Sequence, residues 1–200
     1  DRLQMVDASG RLFNGDELLY VLAKDRMDRG QSIGGVVGTL MTNLAIENAI
    51  KGLGIGFERA NVGDRYVLEL LKQKGWIIGG EGSGHLLCLD QHSTGDGTIA
   101  ALQVLAAMSQ TKKSLAQLLD SVKIFPQVLL NIKFKAGYDW KLDDKLKSKI
   151  SQVENVLKGT GRVLIRASGT EPVLRVMVEA QDADLAMSLA KSIADLVSIT

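Results

Sequence analysis

The sequence is poor in several things, and each shortage excludes something. It has one cysteine, Cys88, so no disulfide can form within the chain. That usage fits a reducing compartment such as the cytoplasm. With two histidines and one cysteine, a His/Cys zinc site is out of reach. Formal net charge is only +1, which gives no electrostatic case for a nucleic-acid or membrane partner. No apolar run is long enough to cross a bilayer, and no signal-peptide pattern opens the sequence. There is no Walker-type loop, no glycine-rich dinucleotide fingerprint and no local nucleophile–base pair for acyl transfer. Internal repeats and low-complexity segments are absent too.

What remains is ordinary globular composition. The 200 residues are 46% hydrophobic and 24% charged, which suits one large domain or two small ones. Up to about residue 122, short buried strands alternate with amphipathic helices. Strands are expected at 2–6, 35–38, near Phe57, at 76–78 and at 86–89. Helices are expected over 16–28, from Thr42 (as cap) to Gly54, from Gly63 to Lys74, after Gly95-Asp96-Gly97 and after Ser114. This alternation argues for an α/β domain with a mixed, mostly parallel sheet. Such sheets bind ligands at the loops leaving the carboxyl ends of their strands.

Beyond 122 the pattern changes. A long strand over 124–134, a polar stretch, a helix over 142–157, two strands and a helix from 183 read as a smaller α+β domain. The expected divisions are 1–14, 15–122 and 123–200.

Four stretches could carry chemistry. In Arg166-Ala167-Ser168-Gly169-Thr170-Glu171-Pro172-Val173-Leu174-Arg175, two guanidinium groups flank a small polar turn between strands. Gly169 tolerates positive φ, successive N–H groups can form an anion nest, and Ser168 and Thr170 add hydroxyl donors. Arg166 and Arg175 are permanently charged forks suited to phosphate. The plain alternative is a hairpin with solvated arginines. In Gly80-Glu81-Gly82-Ser83-Gly84-His85, three polar side chains alternate. If extended, that spacing aims Glu81, Ser83 and His85 to one side, where they suit a polyol. The alternative is a glycine-rich turn. In Gly63-Asp64-Arg65-Tyr66, Asp64 reads as a helix cap and Arg65 as a phosphate or substrate contact on the same rim. In Thr94-Gly95-Asp96-Gly97, Asp96 reads as a helix cap and not as chemistry. Cys88 and His92 read as a strand thiol and a surface imidazole.

Taken together, Asp1-Arg2, Gly63-Asp64-Arg65-Tyr66-Val67, Glu81-Gly82-Ser83-Gly84-His85 and Arg166-Ala167-Ser168-Gly169-Thr170-Glu171-Pro172 resemble the α-D-phosphohexomutases, in that order along the chain. The Ser-Gly-Thr-Glu-Pro form tilts the resemblance toward glucosamine phosphates and away from mannose phosphates. The segments Gly38-Thr39-Leu40-Met41-Thr42-Asn43 and Ser93-Thr94-Gly95-Asp96-Gly97 point the same way.

The resemblance implies a four-domain enzyme that interconverts glucosamine 6-phosphate and glucosamine 1-phosphate. It works through a phosphoserine and a bisphosphate intermediate, on the route to a cell-wall precursor. It implies Mg²⁺ held by three aspartates, of which Asp1 alone is present. It also implies a sugar clamp at Glu81, Ser83 and His85. A phosphate socket is implied at Arg166, Ser168, Gly169, Thr170 and Arg175, with Arg2, Asp64 and Arg65 in support. The chain then reads as the end of the second domain, the third sugar-binding domain and a TBP-like fourth domain. It is expected to be inactive without the phosphoserine loop. Its partners would be a sugar phosphate and the N-terminal domains of the same protein, with a homodimer left open. A phosphomannomutase or phosphoglucomutase fragment, and a non-catalytic sugar-phosphate-binding module, are the competing readings.

Overall fold

A computed structural model describes residues 1–134, 138–168 and 171–197. The chain divides into two compact units, Asp1–Ile124 and Phe125–Thr200. The first holds β1 (Met5–Val6), β2 (Leu12–Phe13), α1 (Gly15–Asp28), β3 (Gly35–Thr39), α2 (Leu44–Gly52), β4 (Gly56–Ala60), α3 (Asp64–Lys74), β5 (Ile78–Gly80), β6 (Leu86–Cys88), α4 (Gly97–Thr111) and α5 (Leu115–Leu118).

Its main sheet has the order β4-β3-β5-β6. Strands β4 and β5 run parallel to β3, and β6 returns antiparallel to β5. Along β3, successive residues serve opposite faces. Val36 packs with residues of α1, α2 and α4, while Val37 packs with Val67 and Leu71 of α3. The result is helices on both faces of a mixed, mostly parallel sheet, as the alternation of elements requires. Helix α1 is buried almost all round, including Asp16, Glu17, Asp25 and Arg26. Burying charge is tolerable only with partners. Glu17 meets Arg11, and Arg26 meets Asp25 and Asp90.

Because β3, β4 and β5 are parallel, their carboxyl ends share one edge of the sheet. The loops there are 40–43, 61–63 and 81–85. The Thr39–Asn43 loop is closed by its own polar groups. Thr42 Oγ1 accepts from Thr39 N at 2.9 Å, and Arg59 Nη1 donates to the carbonyls of Thr39 and Thr42. The cap of α2 is Asn43 and not Thr42, whose hydroxyl is spent on that loop.

The second unit holds β7 (Gln127–Lys133), a short 3₁₀ turn at Trp140–Leu142, α6 (Asp144–Leu157), β8 (Gly161–Ala167), β9 (Val173–Ala180) and α7 (Ala183–Ala194). Its sheet is antiparallel, in the order β7-β9-β8. One face is apolar. Val128, Leu130 and Ile132 of β7, Leu174, Val176 and Val178 of β9, and Val163 and Ile165 of β8 pack with Leu146, Val153 and Leu157 of α6 and with α7. The opposite face carries three transverse rows, read directly from the register: Gln127–Glu179–Arg162, Leu129–Met177–Leu164 and Asn131–Arg175–Arg166.

Candidate functional site

In the first unit the polar cluster is built around the turn between β5 and β6. This turn is tight and not extended. Glu81 N donates to His85 O at 3.0 Å, and Gly84 N donates to Glu81 O at 2.9 Å. Antiparallel pairing of Gly80 with Leu86 forces the reversal. Glu81, Ser83 and His85 therefore do not line up by strand alternation; the hairpin joins the Glu81 and Ser83 side chains and ties His85 to Glu81 through the backbone. Glycine is needed at the apex, since Gly84 has φ +94° and a Cβ there would run into the Leu3 backbone. At the amino end of α1, Gly15 packs face to face on the turn. Gly15 N donates to Gly82 O at 3.0 Å, and a Cβ on Gly15 would reach Gly84 N at 2.6 Å.

Glu81 is well anchored. Its Oε1 accepts from Gly63 N at 2.7 Å, and its Oε2 accepts from Ser83 Oγ at 3.3 Å. This bond ties the β5–β6 turn to the loop after β4. Helix α3 starts beside it. Its cap position is Gly63, with no side-chain bond, and Asp64 is the first helical residue. Asp64 is therefore not the cap. Its carboxylate instead lies 3.7 Å from His85 Nε2. Arg65 is largely exposed and pairs with Glu69 one turn on.

His85 is nine-tenths buried. Its Nδ1 lies 3.2 Å from Asp1 Oδ2, while its Nε2 has no hydrogen-bond partner among the described residues. The ring sits where Gly95 leaves room: a Cβ there would overlap Nε2 and lie 2.6 Å from Cδ2. Arg2 pairs with His85 as an isolated bridge, and Leu3 N donates to Gly84 O at 2.8 Å. The segment 1–3 thus runs along the turn. Beside it, Asp1, Arg2, Gly95, Asp96 and Thr98 line an open cleft of about 550 Å³. Asp96 caps α4 by accepting from Ile99 N at 2.9 Å, and that bond pulls its carboxyl below the usual range. Cys88 is buried in β6, and burial pushes its thiol up to about 11, so it is an inert core group.

In the second unit, Arg166 and Arg175 stand directly opposite each other on β8 and β9. Directly opposed residues share a face, with Cβ atoms about 5 Å apart, and like charges there repel. Burial lowers the Arg166 pKa, and Arg175 lowers it further. Arg166 Nε is buried and has no hydrogen-bond partner among the described residues. The connection between the strands is closed by Ser168 N donating to Val173 O at 2.8 Å, and it is held from β7 by Phe134 N donating to Pro172 O. Gly169 and Thr170, two expected members of the socket, lie outside the described residues.

A magnesium ion wants near-octahedral oxygen ligands, usually more than one of them carboxylate or phosphate. Asp1 offers one carboxylate, and its neighbour is an imidazole. Among the described residues no group of three or more His, Cys, Asp and Glu could hold a metal. The residues present do not make a magnesium site.

Sequence reasoning did not single out Gly15 or Asn131, nor the packing roles of Gly63 and Gly95. Gly63 and Gly95 were visible in their motifs and Gly15 in none, and only the packing shows their surroundings. Asn131 has no local signal; strand register alone brings it beside Arg175.

Two family models match. Residues 14–125 match the α/β/α domain III of phosphoglucomutase/phosphomannomutase, and residues 129–196 match the C-terminal domain of the same family. The chain belongs to the phosphoglucomutase/phosphomannomutase family. It is 83% identical over 98% of its length to a phosphoglucosamine mutase of Polynucleobacter asymbioticus, and 60% identical over 98% to one of Cupriavidus taiwanensis. In each case it spans 44% of the relative's own length. Among solved structures, the N-acetylphosphoglucosamine mutase of Aspergillus fumigatus in complex with GlcNAc-6P and magnesium superposes with a TM-score of 0.78. Identity is 23%, covering 96% of this chain and 48% of that one, and the likeness fixes the fold.

Proposed function

We propose that this chain is the substrate-recognition half of a phosphoglucosamine mutase, which interconverts glucosamine 6-phosphate and glucosamine 1-phosphate. The observation that carries this reading is the opposed pair Arg166 and Arg175, with no ion-pair partner for either among the described residues. Two guanidinium groups held opposite each other at a cost, one with a buried N–H lacking an acceptor among the described residues, form a receptor for a dianion. Ser168, Gly169 and Thr170 complete the socket as hydroxyl and backbone donors.

The first unit supplies the second grip. Glu81 and Ser83 offer an acceptor and a hydroxyl to the sugar, and His85 completes this grip from a buried position, its Nε2 without a hydrogen-bond partner among the described residues. Asp64 orients that imidazole, Arg65 is an exposed cation at the rim, and Arg2 pairs with the turn at His85. A grip on hydroxyls, with a separate grip on phosphate, tolerates a substrate bound in either of two orientations. Mutase chemistry requires this, because each end of the sugar must in turn face the phosphoryl donor.

The phosphoserine and the Mg²⁺ carboxylates belong, in this reading, to the part of the longer relatives that this chain does not cover. The chain alone is then a binding half with no turnover. The full protein would be a cytoplasmic phosphoprotein of amino-sugar metabolism that feeds peptidoglycan precursors, and a homodimer is compatible with this.

Calorimetric titration with glucosamine 6-phosphate tests the reading, alongside an Arg175→Ala variant. Weak binding by the native chain is expected. Its loss by at least tenfold in the variant is also expected, since one charge-assisted bond contributes roughly 1.5–3 kcal/mol. No binding by a folded native chain would sink the proposal. Equal affinity for mannose 6-phosphate and glucose 6-phosphate would favour the phosphomannomutase or phosphoglucomutase reading.

A further inference from the structure

The phosphate face of the second unit has a third strand, and its register carries an inference beyond the socket. Asn131 of β7 stands directly opposite Arg175 of β9, which stands opposite Arg166 of β8. All three side chains share one face, across strands about 4.8 Å apart. Four residues along the same face, Gln127, Glu179 and Arg162 form the equivalent row. There the central charge is neutralised: Arg162 Nε donates to Glu179 Oε2, and Gln127 Nε2 donates to Glu179 Oε1 at 2.7 Å.

In the Asn131 row, the position beside the central arginine could hold a carboxylate that would pair with it. It holds the neutral isostere of aspartate instead. An amide oxygen can accept from a guanidinium, yet it leaves the positive charge available to an incoming anion. Asn131 is exposed on β7, so no packing demand dictates its side chain.

We infer that Asn131 is a further binding residue of the phosphate socket, a neutral acceptor that holds the Arg175 guanidinium for a phosphomonoester without neutralising it. This rests on the socket reading above. It adds a residue of β7 to a site otherwise drawn from β8, β9 and their connection.

The test uses the whole chain, with glucosamine 6-phosphate and inorganic phosphate as separate probes, in Asn131→Asp, Asn131→Ala and Arg175→Ala variants. Affinity is read by calorimetry and stability by thermal melting. Asn131→Asp is expected to pair with Arg175. It should weaken both probes at least tenfold while raising the melting temperature by about 2 °C, because it relieves the repulsion. Asn131→Ala should weaken them about threefold, the worth of one ordinary hydrogen bond. Opposite signs in affinity and stability are the signature, since a merely structural residue would move both together. If Arg175→Ala loses binding but Asn131→Asp binds like the native chain, this inference is wrong and the socket stands. If Arg175→Ala also binds like the native chain, or the native chain binds neither probe, the socket fails and Asn131 with it.

Discussion

Two rows of one small sheet treat arginine in opposite ways. At one end Arg162 faces Glu179, a fully buried carboxylate that also receives an amide from Gln127. At the other end Arg166 faces Arg175, and no carboxylate stands in the row. The strands, the pleat and the distance across them are the same, so the difference lies in side-chain choice alone. The first row spends its charges on the fold. The second withholds them, accepts the repulsion, and leaves a buried N–H without an acceptor among the described residues. A fold under no other demand would pair both rows.

The contrast breaks most easily at the paired end. Glu179→Ala should strip Arg162 of its counter-charge inside the sheet and cost about 3 kcal/mol in urea unfolding. That is near the lower end for a broken buried pair, because Arg162 keeps some contact with water. Arg175→Ala should cost far less or stabilise the chain. Equal losses in the two variants would erase the distinction between a structural row and a binding row.

The first unit offers a parallel contrast. Both Glu81 oxygens are hydrogen-bonded, whereas His85 Nε2 has no hydrogen bond among the described residues and is seated over Gly95. Gly95→Ala should push a methyl group into that ring and cost about 2 kcal/mol, as overpacking does. The displaced His85 should show as shifted imidazole resonances and weaker sugar-phosphate binding. Unchanged resonances would mean that the ring does not depend on this seat.

The elements were legible in the sequence because they rest on local signals. Apolar periodicity marked the strands and helices, glycines marked the turns, and the paired arginines around Ser-Gly-Thr drew attention to the stretch proposed as the phosphate grip. What stayed hidden depended on long-range register and packing. Alternation in 80–85 suggested an extended segment, but pairing of β5 with β6 folds it into a turn. Asp64 had the composition of a cap, yet the chain enters α3 one residue earlier and turns that carboxylate toward His85. Asn131 joins the arginines across 44 residues of sequence through a register that no local pattern encodes.

The smallest expected effect tests the rim. Arg65 is about four-fifths exposed and, among the described residues, bonded to Glu69, one helical turn away. Its pairing raises its own pKa through that hydrogen bond, but a pair this solvated adds little to stability. Arg65→Ala should therefore leave the urea midpoint almost unmoved. Its effect on binding is the informative part. As a cation free to leave Glu69, Arg65 should add a salt-dependent increment to phosphate affinity, about two- to threefold at low ionic strength and vanishing near 1 M salt. The Arg175 contribution, made by a half-buried and strand-fixed guanidinium, should persist at that salt concentration. If both contributions faded alike, Arg175 would be no better sheltered than a rim charge. The distinction between a built socket and a merely basic surface would then be lost.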